Sequence, residues 1–315
     1  MKKSLLSAVA LSAFSLAVPA SAETLGVTIS KFDDNFLTLL RNGIIEHTTS
    51  LDGVTVQIED AQGDTARQLN QIQNFVASGV DAIIVNAVDT DATSAMTAAA
   101  ANAGIPLVYV NYEPVNVDSL PESQAFVASD EKESGTLQTR EVCRQLSAAG
   151  VTDAKVVVIM GELQHQAARL RTQDIRDVIA TPECSFMKVV EEQSANWQRT
   201  QAVDLMTNWL SAGVEFDAVI ANNDEMALGA IQALKSAGHS MDSVIVAGID
   251  ATRDALAAMA AGDLDVTIFQ DAEGQGRGAV DAALSLARGE HVDQKVYIPF
   301  ELVTAENLAD YQNRN

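Results

Sequence analysis

Positively charged residues are scarce in this sequence. Its 315 residues include 20 lysines and arginines against 43 aspartates and glutamates, which gives a formal net charge of -23. Non-specific binding to nucleic acid or to an anionic membrane needs clustered lysine and arginine, so the composition argues against both kinds of partner. Apolar residues make up 47% of the chain, which is typical of a globular protein, and the length predicts about two domains.

Cysteine and histidine are too few to predict a metal centre. The chain has two cysteines, Cys143 and Cys184, and its four histidines lack the short spacings of metal ligands. We expect no metal and no other cofactor. The cysteines could form a disulfide in an oxidising compartment or remain two buried thiols, because the sequence does not give the distance between them.

Long apolar runs are absent except at the start of the chain. The first residues are Met-Lys-Lys, an apolar run extends from Leu5 to Val18, and Pro19–Ala22 ends in a small-x-small site. This pattern is typical of a secretory signal peptide, with cleavage expected after Ala22. A membrane anchor is the alternative, but the run is shorter than the ~20 residues of a membrane span. We therefore expect an exported, soluble protein without membrane insertion.

Linkers rich in proline or serine are absent too, and β-rich runs alternate with helical segments along the whole chain. The predicted strands are Leu25–Ile29, Val54–Glu59, Ala82–Asn86, Leu107–Val110, Ala125–Ala128, Lys155–Met160, Lys188–Glu191, Ala218–Ala221, Val244–Ala247 and Val266–Phe269. Several are continuously apolar, as strands of a parallel sheet covered by helices on both faces are. Repeated βα units predict an α/β fold.

The two halves of the chain resemble each other. Residues 75–86 are similar to residues 209–222, and Gly79 and Gly213 are 134 positions apart, as are Gly104 and Gly238. This repeat predicts two similar lobes instead of one long sheet. Since no linker separates the lobes, we expect them to share short crossing strands that act as a hinge.

Polar side chains follow most of the predicted strands, and ligands bind beyond the carboxyl ends of strands in open parallel sheets. Carboxylates and amides can pair with the donors and acceptors of a ligand rich in hydroxyl groups, and aromatic faces can cover its C–H faces. Any single residue here could instead be an ordinary helix N-cap, but the whole set favours a ligand site. The set comprises Ser30, Lys31, Asp33, Asp34, Asn86, Asp89, Asn111, Asn222, Asn223, Asp224, Asp250, Gln270 and Asp271, with Phe32, Phe36, Tyr112 and Trp197 nearby.

Catalytic motifs are missing. The chain contains no nucleophile elbow and no triad motif, and Asp34 with Asp250 is the one carboxylate pair that could be assigned to a glycosidase. An exported sugar-acting enzyme, a hydrolase or isomerase, is therefore the minor alternative to a binding protein without chemistry. A transcriptional regulator would need a helix-turn-helix where the predicted signal peptide lies.

One segment is specific enough to indicate a family. Residues 221–230, ANNDEMALGA, resemble the NDEMALGA motif of periplasmic sugar-binding proteins of the ribose/galactose type, the soluble receptors of ABC importers. The resemblance covers the whole mature chain. It includes the first ligand loop (29–36), the AARLR stretch (167–171), the aromatic loop (193–197) and the last two contact strands (247–250 and 267–270).

The resemblance implies an α/β fold of two similar Rossmann-like lobes with parallel sheets, joined by a three-strand hinge, as in type I periplasmic binding proteins. After a signal peptide at 1–22, the N-terminal lobe would hold residues 23–128 and 271–297. The C-terminal lobe would hold residues 129–270 and 298–315. We expect a periplasmic monomer whose lobes close over a small polyol and which then docks on a membrane permease. Reporting to a chemoreceptor is compatible with this role.

The resemblance also implies roles for individual residues. Asp34 corresponds to a first-lobe polar contact that is asparagine in ribose receptors. Phe36 and Trp197 resemble the aromatic residues on either side of the sugar ring, and Arg171 resembles the arginine that holds hydroxyls bidentately. The remaining second-lobe and hinge contacts would be Asn223, Asp250 and Gln270.

Departures from the family pattern bear on the ligand. The family usually has Asp-Arg where this chain has Asn111-Tyr112, and an aromatic residue at the place of Ile249. These differences argue against simple ribose or galactose and favour an inositol-like cyclitol, as in the inositol and rhizopine branch. Tyr112 and Lys31 are candidate specificity residues, or else rim residues that face solvent. Weaker candidates for ligand contact are Ser30, Phe32 and His165.

Overall fold

The computed structural model describes residues 22–312 and 314. The predicted signal peptide, except for Ala22, lies outside these residues. Among the helices of the described residues, none combines the length and the apolar character that crossing a membrane requires.

Strands and helices alternate along the chain. The strands are β1 (Glu23–Ile29), β2 (Val54–Asp60), β3 (Ala82–Val85), β4 (Leu107–Val110), β5 (Gln124–Ala128), β6 (Ala154–Met160), β7 (Met187–Ser194), β8 (Ala218–Ala221), β9 (Ile245–Ala247), β10 (Val266–Phe269), β11 (Lys295–Tyr297) and β12 (Glu301–Thr304). The helices are α1 (Asn35–Ser50), α2 (Thr65–Ser78), α3 (Thr93–Ala103), α4 (Glu131–Ala148), α5 (Gln166–Ile179), α6 (Arg199–Ser211), α7 (Asp224–Ser236), α8 (Arg253–Ala260) and α9 (Ala272–Ala287).

The strands form two six-stranded sheets. The first has the order β11-β5-β4-β3-β1-β2 and is parallel throughout. The second has the order β12-β10-β9-β8-β6-β7 and is parallel except for the β10–β12 pair. The expected fold class, two similar α/β lobes with parallel sheets, is confirmed.

Each predicted strand has a counterpart, but β11 and β12 were not predicted. They are three and four residues long, and most of their residues are only partly buried. Such short segments lack the continuous apolar run by which the central strands can be recognised.

Successive side chains along each strand point to opposite faces of the sheet, so each lobe has a hydrophobic core on each face of its sheet. In the first lobe, Val27 and Ile84 pack with α1 and α9, whereas Ile83 and Tyr109 pack on the other face with residues of α2 and α3. Two further clusters lie on the two faces of the second sheet. Burial on both faces explains why these strands read as unbroken apolar runs.

Within the described residues, the chain passes between the sheets three times. The crossings connect β5 to α4, β10 to α9, and β11 to β12. Helix α4 packs against strands of the second sheet, and α9 packs against strands of the first. Three neighbouring connections of this kind permit rotation of one lobe against the other.

A disulfide joins Cys143 of α4 to Cys184, which follows α5. The two Cα atoms are 5.7 Å apart, within the range that disulfide geometry requires. Both residues are buried in one core cluster of the second lobe, so the bond ties α4 to the segment between α5 and β7.

Candidate functional site

One cavity lies between the carboxyl ends of the two sheets. The space between its lining atoms, including the part that is open to solvent, is about 280 Å³. Residues from both lobes line it, and every one of them follows a strand or lies in the first or second turn of the helix that comes next. They are Asp34, Phe36, Asn111, Tyr112, Arg171, Trp197, Asn223, Asp250 and Gln270.

Helix starts explain the position of two polar lining residues. Asp34 is the N-cap of α1 and accepts a hydrogen bond from the backbone N–H of Leu37 at 2.9 Å. Asn223 is the N-cap of α7 and accepts from the N–H of Met226 at 3.0 Å. Each of these two side chains therefore caps a helix and also lines the cavity.

Unusual backbone conformations are concentrated at this cavity. Three lining residues have positive φ angles: Asn111 (68°), Trp197 (65°) and Asp250 (128°). Their neighbours Asn196 and Ala251 do as well. Strained backbone of this kind costs on the order of 1–3 kcal/mol per residue and is typical of sites whose geometry serves a function.

Arg171 is bonded mainly to the protein itself. Its Nε and Nη2 atoms each donate to the carboxylate of Glu131 at 2.7 Å, and both residues are buried. Nη1 donates to the Asn222 carbonyl at 2.7 Å and Nη2 to the Gln270 amide oxygen at 3.2 Å. Burial alone would lower the pKa of Arg171, but the Glu131 carboxylate holds it above its ordinary value. Nε and Nη2 of Arg171 are thus bonded to Glu131, and the expected contact of this arginine with ligand hydroxyls stays a prediction.

Trp197 is fixed from two sides. Its indole N–H donates to Nδ1 of His165 at 2.8 Å. Its ring lies so close to Gly161 that a Cβ there would be 2.2 Å from Cζ2 of the ring. The Arg171 guanidinium carbon lies 5.6 Å from the ring centroid. These contacts hold the indole in one orientation at the wall of the cavity.

The first-lobe pair Asn111-Tyr112 is held by amide and aromatic contacts. The Asn111 side-chain N–H₂ donates to Gln275 at 3.2 Å, and its oxygen accepts from Asn86 at 3.3 Å. Tyr112 stacks on His165 with ring centroids 4.1 Å apart. Burial raises the pKa of Tyr112 well above its ordinary value, so this phenol stays neutral at every physiological pH.

Two carboxyl groups line the cavity. Burial raises the pKa of Asp34 to about 6, although its helix N–H bond acts in the opposite direction. Burial, reinforced by the nearby Asp224 carboxyl, raises the pKa of Asp250 well above its ordinary value. Groups of three or more histidine, cysteine or acidic residues that could hold a metal are absent from the described part of the chain. This lining can offer hydrogen bonds and apolar ring faces to a small polar molecule.

Comparison with known proteins agrees with this geometry. Residues 25–291 match the model of the periplasmic binding protein domain. A protein of Rhizobium meliloti that is proposed to bind rhizopine is 67% identical over 296 residues, 94% of each chain. The chain belongs to the periplasmic binding protein family.

Two further relatives extend the comparison. The ribose import binding protein of Bacillus subtilis is 31% identical over 89% of this chain and 87% of its own. An ABC transporter solute-binding protein of Bacillus halodurans, solved with bound myo-inositol, is 42% identical, with a TM-score of 0.87 over 94% of this chain and 99% of its own. Like these binding proteins, the chain is a solute-binding protein and not an enzyme. Family membership implies a periplasmic location.

The lobes of this binding protein contact each other across the cleft. Asn35 donates to Glu225 at 3.1 Å, and Arg169 pairs with Asp91 at 2.9 Å. Further along the rim, the hydroxyl of Thr90 donates to the Gln164 carbonyl at 2.9 Å. These bonds join residues of opposite lobes, so the structure has the closed arrangement.

Of the residues that were individually assigned a ligand contact, four lie outside the cavity lining. Lys31 forms an ion pair with Glu162 in an outer depression that shares Asp34 and Trp197 with the cavity. The others are Ser30, which donates to Asn86, Phe32, which lies under the guanidinium of Arg41, and His165, which lies behind Trp197. A part in ligand binding for these four stays a prediction.

Two residues of structural importance to the site were missed by sequence reasoning. Glu131 looks like any acidic residue in the first turn of a helix, because its sequence neighbours are charged as well. Gly161 follows an apolar strand without a distinctive motif. Only the distance to Arg171 or Trp197 reveals either of them, and a single sequence does not contain that distance.

Proposed function

We propose that this protein is the periplasmic receptor of an ABC importer for a small polyol, and that the polyol is an inositol-like cyclitol. The ligand occupies the cavity between the lobes, and the closed form delivers it to a membrane permease. The chain reaches the periplasm by means of the N-terminal signal peptide, which is removed after Ala22.

The observation that carries this proposal is that nine residues expected to bind ligand line one cavity, with contributions from both lobes. A ligand that contacts both lobes binds the closed state better than the open state, and it therefore shifts the population towards closure. We propose that the lobes comprise residues 23–128 with 271–297, and 129–270 with 298–315.

The chemistry of the lining supports a ligand that donates many hydrogen bonds. Asp34 and Asp250 contribute carboxyl groups, whereas the one guanidinium of the lining, that of Arg171, is already bonded to Glu131. Hydroxyl groups both donate and accept, and they can use the carboxyl and amide oxygens. The relatives named for rhizopine and solved with myo-inositol support a cyclitol over a pentose.

The deciding experiment is mass spectrometry of the small molecules released from the purified protein, followed by calorimetry. The calorimetric panel comprises myo-inositol, other inositols, an amino-substituted inositol, ribose and galactose. We expect at least one cyclitol to bind, and the pentose and hexose to bind more weakly. A pentose that co-purifies would overturn the cyclitol proposal, and a panel without binding would overturn the polyol proposal.

Variants test the site independently of the identity of the ligand. Trp197→Ala should weaken binding by about 2 kcal/mol or more, because it removes an aromatic wall from a desolvated pocket. The matched control is Tyr297→Ala, since Tyr297 is 43% exposed and does not line the cavity. Unchanged affinity in Trp197→Ala would refute the assigned site.

A further inference from the structure

His165 uses both ring nitrogens within the protein. Its Nδ1 lies 2.8 Å from the indole Nε1 of Trp197, and its Nε2 lies 3.0 Å from the Val88 carbonyl oxygen. The indole N–H can only donate and the carbonyl can only accept, so Nδ1 must be the acceptor and Nε2 must carry the proton. The two partners together define a neutral imidazole in one tautomer.

The same contacts leave no ring nitrogen of His165 for a ligand. One ring face is stacked on Tyr112, with the planes inclined by 23°. The planes of His165 and Trp197 are inclined by 17° with centroids 6.2 Å apart, as expected for two rings joined edge to edge by the hydrogen bond at Nδ1. His165 is 3% exposed and is not part of the cavity lining.

These partners belong to different lobes. Val88 follows β3 and Tyr112 follows β4, both in the first sheet. His165 follows β6 and Trp197 follows β7, both in the second. The bond to Val88 and the stacking on Tyr112 can therefore form only when the lobes close, whereas the bond to Trp197 lies within one lobe.

We infer that His165 is a positioning residue that couples the orientation of the Trp197 ring to closure of the two lobes. Closure fixes the imidazole through Val88 and Tyr112, and the fixed imidazole holds the indole against the cavity. The inference rests on the proposed function, because closure over a ligand is the event to which the ring is coupled. His165 thus contributes to affinity without contacting the ligand.

Two variants separate the two hydrogen bonds. In His165→Asn, the amide oxygen can take the place of Nδ1 and accept from Trp197, but the side chain is too short to reach Val88. In His165→Gln, the terminal N–H₂ can reach Val88, but the acceptor for the indole is displaced. The matched control is His239→Gln, at an exposed histidine of the same lobe.

The first readout is independent of the ligand. The protein has two tryptophans, Trp197 and Trp209, so its nitrogen-15 spectrum contains two indole N–H signals. We expect the indole N–H of Trp197 to be protected from hydrogen exchange in wild type and in His165→Asn. In His165→Gln its exchange rate should be at least tenfold higher. Equal protection in all three proteins would overturn the inference, whatever ligand the protein binds.

The second readout is binding kinetics with myo-inositol as the probe. Both variants should release it at least tenfold faster than wild type, and His165→Gln combined with Trp197→Phe should lose no more than Trp197→Phe alone. Additive losses would mean that His165 acts separately from Trp197 and would overturn the inference. If wild type does not bind myo-inositol, the proposed ligand fails, and the exchange experiment still decides whether His165 holds the Trp197 indole.

A pH profile provides a third test. Protonation at Nδ1 would direct an N–H at the indole N–H, and burial lowers the pKa of His165 to about 4. In an open form the imidazole would titrate near its ordinary ~6.5, so lowering the pH from 7.5 to 5.5 should weaken binding roughly tenfold. Glu162, Lys31, Asp89 and Tyr112 face the imidazole, and Asp34 also titrates here. The diagnostic result is therefore a smaller pH effect in His165→Gln, and an equal effect would contradict the coupling.

Discussion

Adding one methyl group at Gly161 should displace the Trp197 ring. A Cβ at this position would lie 2.2 Å from Cζ2 and 2.3 Å from Cε2 and Cη2 of the indole. Carbon atoms in good contact are ~3.5–4.0 Å apart, so the ring would have to move by more than about 1 Å. Gly161 is not among the glycines with positive φ, and its backbone can accept alanine. The three atoms nearest to the added methyl in Gly161→Ala all belong to this ring.

The displacement has two consequences. Over-packing of this kind costs ~1–3 kcal/mol, and part of it is relieved as the indole swings away from its bond to His165. Trp197 forms part of the cavity lining, so a ring that moves further into the cavity removes space that a ligand needs. A loss of ~2 kcal/mol in binding corresponds to roughly 30-fold weaker affinity. We expect Gly161→Ala to fold and to bind ligand at least 30-fold more weakly.

Calorimetry with the ligand found by mass spectrometry measures this loss, and thermal unfolding separates it from a change in stability. Gly278→Ala is the matched control, because a Cβ there would meet only Cγ1 of Val127 at 3.1 Å and Cδ1 of Ile298 at 3.9 Å, and none of these residues lines the cavity. In a Trp197→Ala background, the change at Gly161 should have little further effect on affinity. Wild-type affinity of Gly161→Ala would refute the idea that the ring position determines binding.

Three further predictions concern the surroundings of the cavity. Glu131→Gln leaves the buried Arg171 guanidinium without its carboxylate and should lower the free energy of unfolding by ~3 kcal/mol in urea titrations. The exposed Glu133→Gln in the same turn should change it by less than ~0.5 kcal/mol, and equal effects would contradict the prediction. The pKa of Asp34, raised to about 6, means that its stabilising contribution is present below about pH 4 and is lost as the pH rises through 6. Asp34→Asn should therefore gain stability over wild type by on the order of 2 kcal/mol between pH 4 and 7.5, and a pH-independent difference would contradict this. Replacing Cys143 and Cys184, which are 41 residues apart, with alanine should cost up to ~4 kcal/mol of unfolding free energy with little change in affinity. An unchanged unfolding midpoint would show that the bond does not constrain the unfolded chain.

The sequence predicts the cavity wall well because strand ends are visible in it. Asn223 and Gln270 each come directly after an apolar run or one residue later, and parallel strands bring such positions to one edge of a sheet. Lys31 occupies a similar position, yet its ammonium group turns to Glu162 of the other lobe. That outcome depends on how the lobes meet, which no local pattern encodes.

His165 shows the same limit more sharply. From the sequence it was a weaker candidate for ligand contact, and the structure places it buried behind Trp197, outside the cavity lining. Its hydrogen-bond partners, Trp197 and Val88, are 32 and 77 positions away in the chain. Roles that depend on two distant partners at once need coordinates, whereas roles that follow from a strand end do not.

The residues of the cavity hold their side chains in fixed positions at a cost to the stability of the protein. Asn111, Trp197 and Asp250 adopt backbone conformations that cost free energy, and the Arg171–Glu131 pair is buried where apolar residues would cost less. Such a cost in free energy is tolerated where the protein must hold side chains in their binding positions before a ligand binds. If this explanation is correct, Trp197→Gly would relieve the backbone strain and would at the same time remove the aromatic wall of the cavity. Asn111→Gly would likewise relieve the backbone strain, but it would remove the side-chain hydrogen bonds to Asn86 and Gln275. Single substitutions at these positions therefore change the strain and the binding geometry together. Substitutions at Gly161, His165 and Glu131, which contact Trp197 or Arg171, can separate the two.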